Sequence, residues 1–268
     1  MNIHTENRNF EFSNYDIDKM LYGTETRNKN KYFDNYKVNI LCAGSSGSGK
    51  TTFLIKMILN NIFEQIDCVI ICIPEESFTS GIYATLAKNN ILNRPILFCI
   101  LNKYDKKEVT ELNEDEDIYI ICNGFITLTE MSKIKKQLGI QRPLIIFDDF
   151  VTLLNRQEDW NQYYRYIHNG SRLNADIVSC VQSINKIPPN CRSSYLQVIL
   201  FTNYLTKSVL TTLLRNCVNN PMLDKKNTET LLEVIAEEPN KHEPLIILSN
   251  TDDPKKSIIF KNKYIYFD

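Results

Sequence analysis

The feature that most constrains the fold is the stretch YKVNILCAGSSGSGKTTFLIKMI, residues 36–58. An apolar, β-branched run ends in a glycine-rich turn, and Lys50-Thr51-Thr52 opens an apolar, helix-forming run. Gly44, Ser45, Ser46, Gly47, Ser48, Gly49, Lys50 and Thr51 fit the pattern GxxxxGK(S/T) in full. Each residue type has a physical task. The glycines let backbone N–H groups turn toward an anion without Cβ clashes. The helix that starts near Lys50 points its positive end at the same anion. Lys50 can reach β- and γ-phosphate oxygens, and the Thr51 hydroxyl can ligate Mg2+. Residues 44–52, Thr52 included, are therefore the expected nucleotide-binding segment.

Apolar runs recur at 37–43, 67–73, 95–101, 117–122, 143–147, 175–181 and 195–202. They are continuous rather than alternating, as in strands covered on both faces. Helical periodicity marks 50–62, 78–89, 128–138, 151–168 and 206–217. Strands alternating with helices predict an α/β fold with a mostly parallel central sheet between helical layers. Residues 1–35 read as a polar N-terminal extension, 36–217 as the core, and 218–268 as an appendage. That appendage has a helix-like TETLLEVIAEE and two β-type runs around a TDDPKK turn. The charged segment 103–117 is expected to be a solvated loop.

The second half of the site is Pro143-Leu-Ile-Ile-Phe-Asp148-Asp149. Four apolar residues followed by two acids put carboxylates at the carboxyl end of a strand, where such sheets bind ligands. Asp148 is expected to hold Mg2+ through water, and Asp149 to orient or deprotonate an attacking water. Asp149 could also simply cap the next helix. Together the two segments resemble those of the P-loop NTPases, and a three-layer fold of the RecA-like (ASCE) type is the expectation.

The totals exclude several classes. The net charge is -1, so no global positive field advertises nucleic acid, and any DNA contact must be a local patch or the inner rim of an oligomer. Cys42, Cys68, Cys72, Cys99, Cys122 and Cys180 all lie in apolar runs, which predicts buried free thiols. The chain has no CxxC, and its histidines are scattered, so a zinc site is not expected. The polar N-terminus lacks an apolar signal core, and no run has the length of a bilayer span. A chain that does not span membranes, with reduced thiols, is the expectation.

Two patterns point elsewhere. Asn102-Lys103-Tyr104-Asp105 matches the NKxD that reads guanine in GTPases. It precedes the Asp148 strand and no DxxG follows that strand, whereas GTPases have the reverse order, so a surface loop is expected. Small-molecule kinases carry an arginine-rich lid, and the sequence contains no such cluster. A P-loop GTPase, a small-molecule kinase and a nucleotide-dependent assembly scaffold are the alternative readings.

Downstream of Asp149 lie Gly170-Ser171-Arg172, a strand ending before Gln182, then Pro188-Pro189 and Arg192. If that strand lies between the Lys50 and Asp148 strands, Gln182 can face the γ-phosphate and sense hydrolysis; otherwise it is an ordinary strand-end amide. Arg172 precedes the strand, at the sheet edge far from its own phosphate site. It could reach a neighbouring subunit's nucleotide in a ring, as a trans-acting arginine finger giving ~10³–10⁵ in rate, or it could form a surface salt bridge.

The set GSSGSGKT, LIIFDDF, NGSRLNADI, Gln182 and IPPNCRSS, in this order, resembles the FtsK–HerA class of ring ATPases. Within that class it is most similar to the poxvirus-type genome-packaging ATPases of large DNA viruses, over roughly residues 37–203. In that family the arginine directly follows the glycine; here Ser171 intervenes, and Arg192 and Arg165 are alternatives for the finger. Other members of the class carry glutamate where this chain has Asp149. The resemblance implies an ATP hydrolase that translocates double-stranded viral DNA, without sequence preference, into preformed capsids. Lys50, Asp149, Arg172, Gln182 and Arg192 would be catalytic, and Thr51 and Asp148 would hold Mg2+. It further implies a homo-oligomeric ring, a hexamer by preference, and docking to capsid or membrane vertex proteins. The expected location is the host cytoplasm at viral assembly sites, or the virion. Lys186, in SINK, is a candidate for contact with DNA phosphates.

Overall fold

A computed structural model of the chain describes residues 3–7, 38–60, 63, 66–79, 82–89, 94–101, 108–113, 118–122, 126–150, 154, 157–169, 173–201, 206, 208–209, 211, 224–237, 243–248, 253–261 and 263–267. The chain divides into two compact units, one of residues 1–12, 39–50 and 180–268, the other of 13–38 and 51–179. Strands β1 (Ile3–Asn7) and β2 (Asn39–Ala43) belong to the first unit. The second holds β3 (Cys68–Pro74), β4 (Ile96–Leu101), β5 (Glu108–Asn113), β6 (Ile118–Cys122), β7 (Pro143–Asp148) and most of β8 (Asp176–Val181). The first unit resumes with β9 (Gln197–Phe201), β10 (Pro244–Leu248), β11 (Ile258–Phe260) and β12 (Lys263–Phe267). The described helices are α1 (Lys50–Leu59), α2 (Glu75–Thr79), α3 (Ile82–Asn89), α4 (Leu128–Gln137), α5 (Gln157–Asn169), α6 (Pro189–Arg192) and α7 (Lys225–Glu237).

In the second unit the strand order is β8-β7-β3-β4-β6-β5. β7, β3, β4 and β6 pair in parallel, with Cys72 level with Phe147 on one side and Cys99 on the other. Every residue of β3, β7 and β8 is buried, which is why their sequences run apolar without alternation. Helix α5 contributes Asp159, Tyr163, Tyr166 and Ile167, spaced four, three and one apart on one face. Tyr163 and Tyr166 pack edge-on against Phe147, at ring separations of 5.4 Å each. Their hydroxyls find partners, Tyr163 donating to Ser179 Oγ at 2.8 Å and Tyr166 to the Ile126 carbonyl at 2.7 Å. Helix α4 starts in a reciprocal capping box: Thr127 Oγ1 accepts from the Glu130 N–H, and Glu130 Oε2 accepts from the Thr127 N–H.

In the first unit the order is β1-β12-β11-β10-β9-β2. β2 and β9 are parallel, and the remaining pairs are antiparallel. The expected terminal β-pair is thus a three-stranded meander, because Lys261, at φ 48°, turns the second run back on itself. The N-terminal strand β1 completes it by pairing with β12 from Ile3↔Phe267 to Asn7↔Lys263.

One expectation is overturned. The charged segment 103–117, read as a solvated loop, contains strand β5, antiparallel to β6. A register irregularity between Glu111 and Asn113 breaks the alternation that would have marked it. The run 78–89 is two helices, α2 and α3, rather than one. Of the helix expected at 206–217, most lies outside the described residues. Cys42, Cys68, Cys72, Cys99 and Cys180 are free and buried, and so is Cys191. A hydrogen bond with Cys72 and burial push the Cys99 thiol well up, and burial raises Cys191 to about 11, so these thiols stay protonated at neutral pH. Among the described residues, no helix is long and apolar enough to cross a membrane.

Candidate functional site: a phosphate loop and a strand-end carboxylate

β2 delivers the chain to Gly44, whose N–H donates to the Val181 carbonyl at 3.2 Å, at the tip of β8. A Cβ on Gly44 would lie 2.7 Å from Ser48 Oγ and 3.0 Å from Phe201 Cβ, so only glycine fits without a shift. The Ser48 N–H donates to the Ser45 carbonyl at 3.2 Å, closing a turn around Ser46 and Gly47. Gly47 and Gly49 take φ values of 72° and 95°, in the region that side chains disfavour. Lys50, only 7% exposed, folds back over this loop. Its Nζ donates to the carbonyls of Gly44, at 2.8 Å, and Ser45, at 2.9 Å. A buried ammonium is thereby held among the loop's backbone groups, where an anion would meet it. Ser46 and Thr52 are exposed. Gly44→Ala should strain the loop by about 1–3 kcal/mol, lowering the melting temperature by roughly 2–12 °C as followed by circular dichroism.

The acid half lies in the second unit. β7 ends on Asp148, which is 5% exposed. Its Oδ2 accepts two hydroxyls, that of Thr51 at 2.9 Å and that of Tyr83 at 2.5 Å. Tyr83 projects from α3 and is itself buried. The donors at this point are hard oxygens, a hydroxyl and a carboxylate, the set that Mg2+ takes. The Thr51 proton is directed at Asp148, so the lone pairs of its oxygen face away and can serve a cation. The residues present therefore fit Mg2+.

Asp149 follows with φ 51°, one of three non-glycine residues in the left-handed region among those described. An N-cap residue sits in extended backbone, so this conformation is not that of a helix cap. Asp tolerates it better than most residues. The position is half-buried, between an interior strand end and solvent.

β8 neighbours β7 in the second unit, and its tip neighbours Gly44 in the first. Gln182, directly after that tip, is exposed. Arg192 is 8% exposed, and its guanidinium is occupied with backbone. Nε donates to the Ile187 carbonyl at 2.6 Å and Nη2 to that of Asn185 at 2.9 Å. It clasps the 3₁₀ turn Ile184–Lys186 that follows β8. Arg165 is exposed on α5, and Lys186 is exposed on its turn. Gly170, Ser171 and Arg172 lie outside the described residues, as do Asn102, Lys103, Tyr104 and Asp105. Tyr83 escapes a reading of the sequence, since an aromatic in an amphipathic run reads as core and its partner lies 65 residues away.

A glycine loop after a parallel strand, a lysine and threonine opening the next helix, and an aspartate ending another parallel strand define the P-loop NTPase architecture. No family model matches the chain, and no curated protein is significantly similar to it. Among solved structures it is similar to the DNA-packaging ATPase B204 from Sulfolobus turreted icosahedral virus, with TM-score 0.52 and 12% identity over 86% of this chain and 97% of that one. B204 from Sulfolobus turreted icosahedral virus 2 in complex with AMP gives 0.51 at 11% identity, over 85% and 98%. The sulfate complex gives 0.51 at 12%, over 85% and 96%. The chain thus shares the α/β fold of these packaging NTPases, the fold class that the sequence predicts.

Proposed function

We propose that the chain is an ATP-driven motor that moves double-stranded viral DNA into preformed capsids. The observation that carries the hydrolytic half is the hydrogen bond of 2.9 Å from Thr51 to the buried Asp148, which joins the helix of the phosphate loop to the acid strand. The motif order and the fold shared with a DNA-packaging ATPase support the motor half.

In this reading the loop amides and Lys50 bind the triphosphate, and Thr51 and Asp148 hold Mg2+. When bound, Mg2+ offsets phosphate charge. Asp149 orients water for in-line attack on the γ-phosphorus and takes its proton while the bond to the ADP oxygen breaks. Arg172 completes a neighbour's site in a homo-oligomeric ring, a hexamer by preference, and Gln182 passes the change on to the segment that Arg192 holds. Residues 36–217 form the motor core, carrying 1–35 and 218–268 as appendages. DNA phosphates rather than bases are contacted, Lys186 among the contacts, so binding is independent of sequence and weakens with salt. Capsid or vertex proteins are the docking partners, at assembly sites in the host cytoplasm.

The test is displacement of a third strand from a DNA triplex. With ATP and Mg2+ the protein should strip the strand, and with ADP it should not. ATP turnover without displacement contradicts the motor, and selective turnover of GTP favours the GTPase reading. Mixing Arg172→Ala with Lys50→Ala subunits should restore part of the ATP turnover that each lacks alone; no recovery contradicts a finger acting across an interface.

A further inference from the structure

We infer that Tyr83 is a positioning residue for the metal-binding carboxylate, which deepens the nucleotide site proposed above and rests on that reading. Two hydroxyls converge on one oxygen, Asp148 Oδ2, those of Thr51 at 2.9 Å and Tyr83 at 2.5 Å. The two donors come from different elements, α1 and α3. Asp148 ends β7, so three segments of the second unit meet at a single carboxylate oxygen.

A carboxylate on a strand end can rotate about χ2, and one hydroxyl leaves that rotation poorly fixed. A second donor, carried by a separate element, restricts that rotation further. Hydrogen bonds from O–H to an ionised carboxylate are short and about twice as strong as neutral ones, and the Tyr83 bond falls in that range. Tyr83 is 4% exposed, so its hydroxyl is removed from competing water. A buried tyrosine hydroxyl needs a partner, and here the partner is the strand-end acid of the site. Asp148 thus meets a cation already oriented, with Thr51 beside it. Outer partners of metal ligands commonly contribute 10–100-fold in metal affinity.

Tyr83→Phe removes only the hydroxyl and keeps the ring. Tyr163→Phe is the control, since it removes another buried tyrosine hydroxyl of the same unit, bonded to Ser179 at 2.8 Å. The measurement is Mn2+ binding to the full-length protein saturated with a non-hydrolysable ATP analogue, read by electron paramagnetic resonance. Tyr83→Phe should raise the Mn2+ dissociation constant about tenfold. Tyr163→Phe should stay within about twofold of wild type, and so should metal-free binding of the analogue by Tyr83→Phe. A Tyr83→Phe constant within about twofold of wild type, or an equal loss in both variants, overturns the positioning role while leaving the nucleotide site intact. Wild type that binds neither the analogue nor Mn2+ overturns the nucleotide reading, and the role of Tyr83 with it.

Discussion

Asp149→Asn is expected to slow ATP turnover by about 10²–10⁴-fold, the range of a positioned general base, with nucleotide affinity unchanged within about twofold. The substitution is well matched to the backbone. Asp149 holds φ 51°, and asparagine occupies that left-handed region as readily as aspartate does. It is nearly isosteric, so the charge and the proton acceptor go while the chain path stays. Asp149→Ala would add a backbone cost of about 1–2 kcal/mol and mix two effects. Pre-steady-state phosphate release separates the steps: binding of a fluorescent ATP analogue should persist while the release rate collapses. Unchanged turnover in Asp149→Asn would exclude Asp149 as the base.

Phe147→Ala is expected to have the largest effect on stability. Phe147 is buried immediately before Asp148, and its ring meets Phe150 at 5.1 Å and Tyr163 and Tyr166 at 5.4 Å each. Truncating a buried phenylalanine costs about 3–5 kcal/mol, a large share of the ~5–15 kcal/mol that keeps a typical domain folded. At ~2–4 °C per kcal/mol for a domain of this size, thermal unfolding by circular dichroism should shift down by roughly 6–20 °C. Phe147 directly precedes Asp148, so affinity at the proposed Mg2+ site should fall as well. Phe147→Leu, which keeps most of the volume, should recover more than half of the loss. A shift below about 2 °C for Phe147→Ala would mean that the aromatic cluster does not support β7.

The strands that carry the site were legible because they are covered on both faces. NILCA and PLIIFD contain no alternation to misread, and all but Asn39 of their residues are buried. The phosphate loop was legible because its glycines have local causes, the crowding at Gly44 and the positive φ of Gly47 and Gly49. The strands missed are at the sheet margins. IHTEN and EVTELN are short and polar, and they become strands through their partners β12 and β6 rather than through their own pattern. Tyr83 and Arg192 mark a different limit. Tyr83 meets an acid 65 residues away and Arg192 meets carbonyls five and seven residues before it, and sequence spacing says nothing of where a hydroxyl or a guanidinium ends. For Arg192, the carbonyls of Asn185 and Ile187 take two of the guanidinium's N–H groups, contacts that motifs alone do not show.

Gln182 lies between these cases. Its place directly after β8 was legible from the end of an apolar run, and the residue is exposed. The sensing role proposed for it presupposes a nucleotide that is turned over, which makes turnover the property to measure first. The most direct measurement is steady-state phosphate release from ATP and Mg2+ by the purified chain, with and without long duplex DNA. A DNA-translocating ATPase should release phosphate from ATP, and do so faster when duplex is present, with Lys50→Ala inactive in both conditions. Absence of phosphate release by wild type on duplex DNA, or a rate that Lys50→Ala matches, would contradict it.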